Sequence, residues 1–146
     1  MSAKILLVYY SQTGRTARIA QLIARAADCD IERIEAVVPF TGDRECTQKR
    51  LNEDPFPAIN RLTRDIRQYG TVILGMPVWN NGIPGPMITF IDMTDWRGIT
   101  VHPFFTSGGI FINIYGMLKD KCKGASVKAP LYLIYDGSGN LTDIRE

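Results

Sequence analysis

Short apolar runs alternate with segments of helical periodicity along the whole chain, and this order limits the fold more than any other feature. Residues 4–10 form a nearly continuous apolar run, which is typical of a strand buried on both faces of a parallel sheet. In residues 15–27 the apolar positions recur at helical spacing, which predicts an amphipathic helix. Thr13 stands where its hydroxyl can cap the first turn of that helix.

The same order continues to the end of the chain. Charges in the second apolar segment indicate a strand at the edge of a sheet. Further strands are predicted at residues 31–38, 71–76, 99–106 and 131–135, and further helices at 60–69, 86–93 and 112–122. Strands and helices in alternation predict an α/β fold, with a doubly wound, five-stranded parallel sheet. The chain has 146 residues, the size of one domain, so we expect residues 1–146 to form a single domain.

Residues 39–60 interrupt this pattern. They hold three prolines, one glycine and mixed charges, which predict a long surface connection with one helical turn near residues 46–52. Loops of this length inside compact domains are often functional.

Charge and cysteine content exclude several classes of function. The net charge is +2 with acids and bases interleaved, so we expect no nucleic-acid partner. No window is long and apolar enough to cross a bilayer and no signal peptide is evident, which predicts a cytoplasmic protein with no membrane partner. Cys29, Cys46 and Cys122 lack metal-site spacing, which predicts idle thiols and no metal site. His102 is the only histidine, and we expect it to be a strand residue, with no side chain acting as a catalytic acid, base or nucleophile.

The loop after the first strand, "SQTGRT", offers three hydroxyl groups and a glycine at the start of a helix. A helix amino terminus presents free N–H groups and the positive end of the helix dipole, so this loop predicts a phosphate site. It lacks the spacing of nucleoside-triphosphate and dinucleotide loops. The alternative is an ordinary capped helix after a tight turn.

Two further loops follow the third and fourth strands. In "PVWNNGIPGP" the prolines restrain a segment that carries Trp79, whose indole either stacks on a flat ligand ring or packs under the next helix. "TSGG", residues 106–109, can offer backbone hydrogen bonds to a planar polar ring edge. The carboxyl ends of parallel strands meet at one edge of a sheet, so the three loops are expected to share one site.

Taken together, "SQTGRT", "PVWNNG" and "TSGG" resemble the flavodoxin-like family of FMN-binding proteins, in the same order over essentially the whole chain. The resemblance implies the strand order 2-1-3-4-5 and bound FMN. It implies that the first loop holds the FMN phosphate, that Trp79 lies against the isoalloxazine ring, and that the last loop lines the pyrimidine end. The cofactor-binding residues so implied are Ser11, Gln12, Thr13, Gly14, Arg15, Thr16, Pro77, Val78, Trp79, Asn80, Asn81, Gly82, Thr106, Ser107, Gly108 and Gly109.

The implied function is electron transfer through bound flavin, to a redox partner protein or a small-molecule acceptor. Flavodoxin electron carriers are typically acidic, whereas this sequence has a pI near 8.5. A flavin-dependent reductase of a small substrate such as a quinone is therefore one alternative. A flavin-free binding or regulatory module on the same scaffold is the other.

The end of the chain departs from the family pattern. Both faces of the predicted last strand are apolar and need cover. The following "NLTDIRE" looks like the first turn of a final helix cut short. We therefore expect a truncated helix or a second subunit over this strand, with homodimerisation through it or an exposed apolar patch as the result.

Overall fold

The computed structural model describes residues 4–80 and 82–146. Its elements are β1 Ile5–Tyr10, α1 Arg15–Ala27, β2 Asp30–Ile34, α2 Arg44–Glu53, β3 Thr71–Pro77, α3 Gly85–Asp92, β4 Thr100–Ser107, α4 Ile114–Lys121, β5 Ser126–Val127, β6 Leu131–Tyr135 and β7 Leu141–Arg145. Among these residues no helix combines the length and the apolar character that a bilayer span requires.

The strands form one mainly parallel sheet in the order β2-β1-β3-β4-β6-β7, with β5 beside β4. The five predicted strands are β1, β2, β3, β4 and β6, but β2 ends at Ile34 and not at the predicted residue 38. They pair in parallel in the predicted order 2-1-3-4-5, with β2 at the predicted edge. The α/β class and the strand order are confirmed, and the sheet gains two strands that were not predicted.

Helices cover both faces of the sheet. Leu6 and Val8 point from β1 toward the larger apolar cluster, which includes α3 and α4, whereas Leu7 and Tyr9 point toward α1. Successive side chains of a strand alternate between faces, so a strand covered on both sides must be apolar at every position. This explains the continuous apolar run that opens the sequence.

The helix predicted over residues 60–69 is wrong. The structure has only a 3₁₀ turn there, Ile66–Gln68, and an otherwise irregular chain beside β2. The carboxylate of Glu32 on β2 accepts hydrogen bonds from the amides of Thr63, at 2.9 Å, and Arg64, at 2.7 Å. Glu32 is only 8% exposed, and a buried carboxylate needs such donors. These tertiary bonds outweigh the helical propensity of the segment.

The segment "NLTDIRE" is a strand, so its interpretation as the start of a helix is also wrong. β7 pairs antiparallel with β6. The connecting turn is closed by Asp136, whose carboxylate accepts bonds from the amides of Ser138 and Asn140, both at 2.9 Å. Gly139 takes a φ of 83°, which glycine adopts without strain. Turn chemistry therefore sends the chain back along β6 as a hairpin.

The packing around Gly75 leaves no room for a larger side chain. It lies on β3, where an added Cβ would come within 2.0 Å of the ring of Phe104 on the neighbouring strand. We expect Gly75→Ala to lower the free energy of unfolding by about 3 kcal/mol, because the ring has to leave its place in the core. Urea denaturation measures this change.

Gly116→Ala is the matched control. Gly116 lies in α4 with open space around the position of its missing Cβ, so alanine there should raise the stability by about 1 kcal/mol. Equal effects of the two substitutions would contradict the packing described for Gly75.

Candidate functional site

A cleft of about 480 Å³ opens at the carboxyl ends of β1, β3 and β4. Its volume is in the range of small-molecule and cofactor sites. The structure brings the three predicted loops together around it. The predicted residues that line the cleft are Ser11, Gln12, Thr13, Arg15, Thr16, Pro77, Val78, Trp79, Asn80, Thr106, Ser107 and Gly108.

Three predicted glycines do not line the cleft. Gly14 precedes α1 as its N-cap residue, and Gly109 lies in the turn that follows β4. Gly82 is buried and exchanges backbone hydrogen bonds with Trp79 at 2.8 and 2.9 Å, which closes a tight turn. Asn81, the remaining predicted residue, lies outside the described residues.

The amino terminus of α1 is built differently from the prediction. Within the part of the chain that the structure describes, no side chain caps it, so the predicted Thr13 cap is wrong. Instead Gly14 takes a φ of 98°, and its amide donates to the hydroxyl of Ser11 at 3.1 Å. The first N–H groups of the helix are therefore left to a ligand, and the helix dipole favours an anion there. Thr13 is exposed and faces the cleft.

Arg33 orients the first peptide of this loop from the edge strand β2. Its guanidinium donates to the carbonyl oxygen of Ser11 at 3.0 Å. In a trans peptide the carbonyl and the following N–H point in opposite directions, so this bond turns the N–H of Gln12 away from Arg33. Arg33 also pairs with Glu35 at 3.5 Å.

Buried polar contacts hold the three loops together. The hydroxyls of Thr16 and Thr106 lie 2.8 Å apart, and both residues are buried. The amide of Val78 donates to the carbonyl of Thr106 at 3.2 Å. Thr106 thus joins the first loop to the second, and a shift of one loop must move the others.

Trp79 is half-buried at the wall of the cleft. Its ring makes edge-to-face contacts with Tyr10, at 5.3 Å and 87°, and with Phe40, at 5.4 Å and 71°. Two such contacts fix the plane of the indole. Burial raises the pKa of Tyr10 to about 12, so its phenol stays neutral. Asn80 takes a φ of 48°, a left-handed conformation that asparagine tolerates better than most residues.

Helix α2 forms a wall of the cleft that the sequence analysis missed. The additional lining residues are Gly42, Asp43, Arg44, Thr47, Gln48 and Leu51, together with Tyr135 from β6. The sequence "RECTQKRLNE" has little apolar periodicity, so it predicted no more than one helical turn. The available signal was Asp43, whose carboxylate accepts a bond from the amide of Cys46 at 2.9 Å and caps the helix.

Comparison with known proteins identifies relatives over most of the chain. The model of a family described as flavodoxin matches residues 4–139. A flavoprotein structure from Bacteroides eggerthii is 32% identical with a TM-score of 0.81, covering 90% of this chain and 89% of that one. A flavoprotein from Lactobacillus acidophilus, crystallised in complex with FMN, is 26% identical with a TM-score of 0.74, covering 88% of this chain and 92% of that one.

A curated relative has a longer chain. The protein named NAD(P)H dehydrogenase (quinone) from Paraburkholderia phymatum is 27% identical over 97 residues, which are 63% of this chain and 47% of that protein. The matched region thus spans about half the length of that relative.

The cap of α2 has a testable pH dependence. Hydrogen bonding from Cys46 lowers the pKa of Asp43, so the cap is complete above the ordinary carboxyl pKa of about 3.9 and is lost as the pH falls through the lower folded-state value. We expect the amide proton of Cys46 to titrate in NMR spectra with a midpoint below that ordinary value. Asp43→Asn keeps an acceptor without a titrating proton, so this titration should disappear. A midpoint at or above the ordinary value would contradict the cap.

Proposed function

The chain belongs to the flavodoxin family, and we propose on that basis that it binds FMN in the cleft and transfers electrons through the bound flavin. The flavin supplies the redox chemistry when bound, one or two electrons at a time, and the protein supplies binding, orientation and electrostatics. The observation that carries the proposal is the uncapped amino terminus of α1, which opens into the same cleft as Trp79.

The donor set of the first loop suits a phosphate monoester. The hydroxyl of Ser11 accepts from Gly14, so its own proton stays free to donate. Thr13 adds an exposed hydroxyl and Arg15 a positive charge at the lining of the cleft. Hydrogen bonds that involve an ionised partner are about twice as strong as neutral ones. We assign the phosphate to residues 11–16.

The other two loops suit a flat, polar ring. We assign the ring of the flavin to the side of the cleft formed by residues 77–80, with Trp79 as the stacking partner, and its pyrimidine edge to residues 106–108. The fixed plane of Trp79 supports the first assignment. Exposed backbone at Gly108 supports the second, because N–H and carbonyl groups there are accessible to a ligand.

A reductase of a small substrate is the second candidate function. The relative from Paraburkholderia phymatum is named for quinone reduction with NAD(P)H, and this chain is basic, with a pI near 8.5. Such a composition does not indicate the acidic surface that steers an electron carrier to basic partners. The two candidates therefore differ in the electron acceptor, which is a partner protein for a carrier and a small molecule for a reductase.

Homodimerisation through the last strand stays a prediction. The outer edge of β6 is occupied by β7, so a second copy would have to approach β7 or its exposed apolar residues, Leu141 and Ile144. The amide of Ile144 is already bonded to the carboxylate of Asp143 at 2.9 Å. That bond reduces the capacity of β7 to pair with another strand.

The FMN assignment is tested by comparing FMN with riboflavin, which lacks the phosphate. Gly14→Ala places a side chain at a φ of 98° and distorts the phosphate loop, so FMN affinity should fall about tenfold, with little change for riboflavin. Quenching of flavin fluorescence measures both dissociation constants.

Gly98→Ala is the matched control. Gly98 also has a positive φ, 77°, and open space around it, but it does not line the cleft. Its substitution should lower stability without changing the ratio of the two affinities. Equal losses of FMN and riboflavin in Gly14→Ala, or no binding of FMN by the wild type, would contradict the assignment.

An electron carrier and a reductase differ in whether they oxidise NADH or NADPH continuously in the presence of a quinone. For a carrier, we expect the photoreduced, FMN-loaded protein to be reoxidised by a quinone in a single turnover, without steady consumption of NADH or NADPH. The absorbance at 340 nm follows the nicotinamide. Steady NAD(P)H oxidation that depends on the quinone would establish the reductase instead.

A further inference from the structure

We propose that Arg50 is a positioning residue through which α2 couples the phosphate end of the flavin site to its ring end. The proposal rests on the proposed function for the identity of the ligand. Arg50 itself is absent from the lining of the cleft, and none of the sequence motifs includes it.

Helix α2 belongs to a loop whose two ends are closed. The amide of Val37 donates to the carbonyl of Ala58 at 2.9 Å, and the amide of Asn60 donates to the carbonyl of Glu35 at 2.8 Å. The intervening segment, residues 38–57, leaves the sheet and returns to nearly the same place. Its position over the cleft therefore depends on contacts made inside the loop and with the neighbouring loops.

Arg50 joins α2 to the start of this loop. Its guanidinium donates to the carbonyl of Pro39 at 2.8 Å and to the carbonyl of Val38. The same group lies over the ring of Phe40, 3.9 Å from the ring centroid. One planar side chain thus binds α2 to three successive residues at the start of the loop. Lysine has no planar fork and cannot reproduce this set of contacts.

Phe40 carries the effect of Arg50 to the ring end of the site. Phe40 is 9% exposed and packs edge-to-face on Trp79. The other edge-to-face partner of Trp79 is Tyr10, which is buried at the end of β1. Trp79 therefore lies between a partner anchored in the core and a partner whose position depends on Arg50.

Thr47 carries the effect to the phosphate end. It precedes Arg50 by three positions, about one helical turn, and is buried. Its hydroxyl accepts a bond from the side-chain amide of Gln12 at 3.3 Å. Gln12 belongs to the loop assigned to phosphate. Binding of phosphate, which orders this loop, should thus stabilise α2 and with it the orientation of Trp79.

The experiment uses Arg50→Lys and Arg50→Met, with Lys49→Met as the matched control. Lys49 is exposed on the same helix, so its substitution removes the same charge without removing the contacts. The first readout is near-ultraviolet circular dichroism of the apo protein, with Trp79→Phe identifying the contribution of Trp79 against that of Trp96. The second is the pair of dissociation constants for FMN and riboflavin.

We expect both Arg50 variants to lose most of the Trp79 signal while keeping their helical far-ultraviolet spectrum. FMN affinity should fall about tenfold and riboflavin affinity only about threefold, because the link to the phosphate loop is lost together with the ring contact. The Lys49→Met variant should match the wild type in its Trp79 signal. Arg50→Lys keeps the charge, so a loss in this variant separates positioning from charge.

Three results would overturn the proposal. They are an unchanged Trp79 signal in both variants, wild-type affinities in Arg50→Lys, and equal losses for the two flavins. A wild type that binds neither flavin would overturn the proposed function instead. In that case the Trp79 signal of the apo proteins still decides whether Arg50 holds Trp79.

Discussion

The structure depends on the burial of its three central strands on both faces. β1, β3 and β4 pair in register, so that Tyr9, Gly75 and Phe104 form one row across the sheet. The ring of Phe104 occupies the space that a side chain at Gly75 would need, and all three residues are buried. Because the strands are parallel, fixing this row also aligns their carboxyl ends. The cleft is a consequence of that alignment.

Sequence reasoning succeeded where one local pattern determined the structure. The apolar runs predicted the five strands, and the periodicity of residues 15–27 predicted α1 with the observed bounds. It failed where distant partners decided the outcome. The carboxylate of Glu32 binds the amides of residues 63 and 64 from another part of the chain. No sequence pattern near residues 63 and 64 indicates this contact. Helix α2 has little apolar periodicity because it covers the cleft rather than the core.

The site shows a similar division. Hydroxyls at the start of α1 predicted a phosphate loop. They did not indicate which hydroxyls bond within the protein and which one is exposed at the cleft. Ser11 and Thr16 are buried and bonded within the protein, whereas Thr13 is exposed at the cleft. The bond between Thr16 and Thr106 spans 90 positions of sequence, so only the fold reveals it. Two of the three hydroxyls therefore position the loop as well as lining the cleft.

Positively charged side chains outnumber carboxylates around the cleft. Arg15 and Arg44 line it, and Asp43 is the only carboxylate among its lining residues within the described chain. Arg33 and Arg50 lie behind the lining and both act to lower the pKa of Tyr10, against the larger effect of burial. Together with the amino terminus of α1, these groups favour an anion in the cleft. A phosphate would gain from that field on binding, and a bound flavin would gain from it on reduction, because its negative charge then increases.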